Sequence, residues 1–115
     1  MRGTARYNQK RINYETVTIS GATTSSEIAL TGRTLCGISV ASIATAVSCT
    51  FTVATATGGT FRTLSDKDGT AYTVTLAAGE CNYLDPSVFA GVEFIKVVLN
   101  ASGDLSASLH IRNME

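Results

Sequence analysis

Apolar and hydroxyl side chains alternate along most of this chain, in short runs separated by Gly, Asn, Asp and Ser. A period of two sends successive side chains to opposite faces, so each run is predicted as a half-buried strand. The cleanest run is 47–55, with Val47, Cys49, Phe51 and Val53 facing inward and Ser48, Thr50, Thr52 and Ala54 outward. Residues 15–20 place Val17 and Ile19 on one face, and 34–40 do the same for Cys36, Ile38 and Val40. Residues 92–99 are the most β-prone, with Ile95, Val97 and Leu99 inward. The last run, 105–112, turns Leu105, Ala107, Leu109 and Ile111 in and Ser106, Ser108, His110 and Arg112 out. Shorter strands are predicted at 27–30, 60–64, 71–76 and 81–84.

The breaks carry turn chemistry. Asp68-Gly69 supplies the positive φ of a tight hairpin between 60–64 and 71–76. Asp85-Pro86-Ser87 opens a bend or one helical turn, carrying Val88 and Phe89 to plug one end of the core. No segment sustains the three–four spacing of a helix. Roughly eight or nine strands at about ten-residue spacing predict an all-β, antiparallel two-sheet β-sandwich, jelly-roll-like in connection. A seven-strand immunoglobulin-like sandwich is the alternative.

The chain has 115 residues, 44% hydrophobic and 16% charged, which predicts one domain with a modest core. Nine basic residues balance nine acidic ones. That balance argues against a non-specific nucleic-acid binder, which needs excess positive charge to release counterions. No apolar run is long enough for a membrane-spanning helix, and residues 1–14 lack the apolar core of a secretory signal. The expectation is a protein of the reducing cytosol, bound to neither nucleic acid nor membrane. The one compositional break lies near residue 14, dividing a basic N-terminal arm (1–14) from the β-sandwich (15–115). The arm holds Arg2, Arg6, Lys10 and Arg11 with Tyr7 and Tyr14 interleaved, and no acid. Such a segment cannot fold by itself; it reads either as a frayed terminus or as the candidate partner-binding element, ordering on a neighbouring subunit by strand addition or on an acidic surface.

Candidate chemistry is sparse. Cys36, Cys49 and Cys81 show no CxxC spacing, and with a lone His110 they suggest no zinc or redox centre. Cys36 and Cys49 fall on apolar faces, where a thiol is a small hydrophobe. Asp66-Lys-Asp68-Gly69 resembles the start of a calcium loop, but the twelfth position is Ala77, and a hairpin turn is the better account. Glu27, Arg33, Glu93 and Lys96 are candidates for cross-strand ion pairs. Neither a nucleophile–base pair nor a carboxylate pair stands out, so an enzyme is not expected, and no cofactor is implied. A carbohydrate site would need Tyr72 or Tyr83 exposed beside a polar groove.

Taken together, residues 19–32, Leu35-Cys-Gly-Ile38, Phe51-Thr-Val53, residues 58–64, Asp66-Lys-Asp-Gly69, residues 84–91 and Phe94-Ile-Lys-Val97 resemble small virion structural proteins of tailed bacteriophages. The resemblance spans roughly residues 17–100 and carries no catalytic residues. It implies a β-sandwich that decorates or cements the capsid exterior, or a head-fibre-like component. The partner would be the major capsid protein, in a homo-oligomer (trimer or dimer) assembled in the host cytoplasm. A tail, neck or connector component and a carbohydrate-binding adhesion module are the alternatives.

Overall fold

The computed structural model describes residues 12–113. Its strands are β1 (Ile12–Thr24), β2 (Ile28–Ala29), β3 (Arg33–Ile43), β4 (Ser48–Ala54), β5 (Arg62–Thr63), β6 (Val74–Thr75), β7 (Cys81–Tyr83) and β8 (Phe94–Asn113). One helical turn, α1 (Pro86–Phe89), precedes β8. The antiparallel all-β prediction holds. The expected division into two sheets is replaced by one eight-stranded, curled sheet.

The reason lies in β8. The two strands predicted at 92–99 and 105–112 are one strand of 20 residues. Its first half pairs with β4 (Cys49↔Leu99 to Ala54↔Phe94) on one side. On the other side it meets Thr24 of β1 and then β2. Its second half pairs with β3 (Ile43↔Leu105 to Arg33↔Asn113) and with β1 (Ile19↔Leu105 to Ile12↔Arg112). β8 therefore belongs to both halves of the sheet, and its odd-numbered residues face inward throughout. Ile95, Val97 and Leu99 join Leu105, Ala107, Leu109 and Ile111 in one core. Full burial of each large aliphatic chain stabilises by about 1.5–3 kcal/mol.

Residues 100–104 lie between the ladders with β3 and β4, held on that side by the Ala44 N–H donating to the Asp104 carbonyl (3.0 Å), and β1 slips register opposite them, between Ile19 and Thr24. Irregularities of this kind bend a strand. The polar side chains here anchor the flanking loops. Asn100 Oδ1 accepts the N–H groups of Val47 (2.9 Å) and Ser48 (3.2 Å), and Asp104 Oδ1 accepts that of Gly21 (2.8 Å).

Two bulges in β3 correct the simple alternation. Leu35 and Ile38 both face the core because Cys36 is an extra residue between Leu35↔Ile111 and Gly37↔His110. A second shift falls between Val40 and Ser42. Val47, predicted inward, precedes β4 and is 60% exposed. The turn at Asp66–Gly69 forms as expected, with Asp66 Oδ1 accepting from the N–H groups of Asp68 and Thr70. The hairpin it closes is short, holding a single bridge, Ser65↔Ala71, because β6 pairs with β4 instead. The predicted plug is present: Asp85 caps α1, and fully buried Phe89 meets Phe51 and Tyr72 edge-on at centroid distances of 5.1 and 5.6 Å.

Candidate functional site

The outward face of the β7–β3–β8–β1 half is the most distinctive surface of the molecule. Register assembles it. Tyr14 of β1 pairs with His110 of β8, His110 with Gly37 of β3, and Gly37 with Tyr83 of β7. One row thus crosses four strands with a tyrosine at each end. The next row is Thr16, Ser108, Ser39 and Cys81. Ser106 and Ser108, with Gly79 and Glu80 of the preceding turn, help line a shallow concavity of about 440 Å³ over these small residues. Tyr14 is 66% and Tyr83 89% exposed.

His110 is fixed at the centre. Its ring meets Tyr14 edge-on at 4.9 Å, and Nε2 lies 2.7 Å from Ser39 Oγ. Gly37 leaves the room for it: a Cβ there would stand 3.1 Å from Nδ1 and 3.3 Å from the Asn82 carbonyl. Among the described residues no carboxylate hydrogen-bonds the imidazole. What the arrangement offers chemically is a rigid floor of hydroxyls and one imidazole between two amphipathic rings. Such a surface suits hydrogen bonding and aromatic stacking.

The predicted site residues fall in several places. Arg2, Arg6, Tyr7, Lys10 and Arg11 lie outside the described residues. Tyr14 is not part of an arm but a paired residue of β1, which begins at Ile12. Of the two candidate tyrosines, Tyr72 packs against Phe51 and Phe89, whereas Tyr83 is exposed, two residues along β7 from Cys81 in the lining of the concavity. Cys49 is buried, and desolvation pushes its thiol up to about 12. Cys36 is also raised by burial, against a smaller opposing pull from Arg112. Cys81 is exposed. The expected ion pairs take other forms. The carboxylate of Glu27 accepts from the Gly58 N–H (2.9 Å) and the Thr57 hydroxyl, which hold it below its ordinary pKa. Arg33 bonds the carbonyls of Leu30 and Ala29, and Lys96 lies 4.4 Å over the Phe61 ring. The row through His110 escapes sequence reasoning because it depends on the bulge at Cys36.

Comparison with protein-family models and with curated proteins finds no match. Among solved structures the chain is similar to the SPBc2 prophage-derived protein YomS, with a TM-score of 0.55 and 14% identity over 90% of this chain and 96% of that one. At that identity the likeness is one of fold, and it extends over nearly the whole of both chains.

Proposed function

We propose that this is a bacteriophage structural protein that acts by binding, docking its tyrosine-flanked sheet face onto the capsid exterior to cement or decorate it. The observation that carries this reading is the four-strand row Tyr14–His110–Gly37–Tyr83. It leaves two large aromatic rings exposed at the ends of one row, and exposed tyrosines are what protein-docking surfaces are enriched in. Two further supports are the virion-protein resemblance of residues 17–100 and the fold shared with a prophage-derived protein. The role needs no turnover. In a symmetric shell many weak contacts act together.

The test is to add purified protein to particles lacking it, then measure co-sedimentation and thermal release of the genome. Binding that raises particle stability, and that Tyr83→Ala abolishes, is the expected result. Absence from purified virions rejects the reading, and location at the neck or tail in a particle reconstruction moves the docking partner there. A second reading rests on Tyr83 alone. An exposed ring beside a hydroxyl-lined concavity also suits a sugar, and glycan titration by calorimetry distinguishes the two.

A further inference from the structure

A second surface lies on the other side of β1. Among the described residues β1 pairs only with β8, so its outer edge presents unpaired backbone N–H and C=O groups. β1 and β2 lie on the same side of β8, one along each half, and the curl of the sheet leaves a groove between them. This groove, of about 370 Å³, is lined by residues 15–18 of β1 and residues 25–29 around β2. Its charged lining residues are both acidic, Glu15 and Glu27. Glu15 stands in the same phase as buried Val17 and Ile19, at the mouth of the groove. Glu27 is fixed by Gly58 and Thr57. Of the nearby cations, Arg33 binds the Ala29 carbonyl, and Lys96 stacks on Phe61 while its charge also acts on Glu27. An inward-phase carboxylate on an edge strand repels a like edge and admits a basic one.

The eleven residues before β1 have that character, with four bases, no acid and one tyrosine. Extended, they span about 36 Å, longer than the groove-lining stretch of β1. To lie along its own β1, this segment would have to reverse within Asn8-Gln9-Lys10-Arg11, immediately before a residue already paired in the sheet. Asn8 accepts the positive φ of such a turn, but none of the four is Gly, which the commonest two-residue hairpins place beside it. A second copy related by a two-fold axis needs no reversal. We propose that residues 1–11 of one copy add as an antiparallel strand to the free β1 edge of a second copy, over the groove bearing Glu15 and Glu27, in a reciprocal dimer. This surface is distinct from the tyrosine-flanked face, and the proposal stands whether or not that face binds a capsid.

The experiment uses the full chain. Light scattering across a dilution series gives the dimer dissociation constant, and hydrogen exchange reports the alternate amides of residues 13–18 that point away from β8. The expected result is a dimer in which those amides are protected. Reversing all four bases (R2E/R6E/K10E/R11E) or substituting Glu15→Lys weakens it by about tenfold or more, and combining the two recovers much of the loss. Circular dichroism verifies that each variant folds, and Glu15 itself is exposed. A full chain that stays monomeric at about 100 μM overturns the proposal. So does a monomer whose β1 amides are protected, because the arm then folds onto its own strand. Charge-reversed chains that dimerise as tightly as the parent overturn it as well.

Discussion

The two halves of the sheet share β8 and one core but differ in the strands that flank it. Around residues 94–99 of β8 the neighbours are short: β2, β5 and β6 have two residues each. Loops cover that half, and its interior is aromatic, built from Phe51 and Tyr72 with Phe89 of α1 wedged against them. Around residues 105–113 the neighbours are the long strands β1 and β3, and the interior is aliphatic. There the outward face is left open, with Tyr14, Ser108, Ser39 and Tyr83 on it. The first half is where the core is closed. The second is a platform whose long, regular strands hold surface side chains in register without covering them.

Mutations that damage one half and spare the other test this division. Phe89→Ala has the largest expected effect, a loss of about 3–5 kcal/mol, because it empties the junction of the aromatic cluster. Denaturant unfolding measures it; a loss below about 1 kcal/mol would show that α1 is dispensable. Cys49 comes next. Its buried thiol stays neutral in the fold up to about 12 from an ordinary 9.0, whereas the unfolded thiol ionises near 9.0. The folded state then holds the proton longer, so stability falls as pH rises from about 9 to 12. Unfolding measured across that window, with a flatter profile in Cys49→Ala, checks the sign. The same burial makes Cys81 the first thiol to be alkylated and leaves Cys49 unreactive until unfolding.

Smaller effects are expected on the platform. Gly37→Ala puts a methyl 3.1 Å from His110 Nδ1, so the ring must shift and its contact with Ser39 loosens. The His110 ring resonances would report this, with a stability loss of about 1 kcal/mol. Tyr83→Ala is expected to change stability by less than about 0.5 kcal/mol while removing docking. A large stability loss from Tyr83→Ala would mean that the ring supports the fold rather than a partner.

The sequence makes the strands and their inward faces readable wherever alternation is unbroken, as at Leu105 to Ile111, and the Asp85-Pro86 signal marks α1. It misleads at Asn100-Ala-Ser-Gly-Asp104, which reads as a loop. Short polar residues are turn formers when their side chains bond locally. Here Asn100 and Asp104 bond distant backbone at Val47 and Gly21, so the strand continues through them. The tyrosine-flanked face was hidden for a related reason. Tyr14, His110 and Tyr83 are far apart in the chain, and only the extra residue at Cys36 brings Gly37 level with His110. Alternation gives the face on which a side chain lies; it does not give its neighbour across the ladder.

The position of β8 in the chain has a kinetic consequence. β1, β2, β3 and β4 all take it as their ladder partner, and it follows every one of them. On a ribosome, the earlier segments emerge before the strand that joins them exists. The sheet cannot propagate in chain order from β1; most of it must condense after β8 has been made, with its pairing closed across long stretches of chain. Proteins dominated by such distant contacts fold over milliseconds to seconds. Until then only the β3–β7, β4–β5 and β4–β6 pairs can form, while β1 and β2 wait for β8.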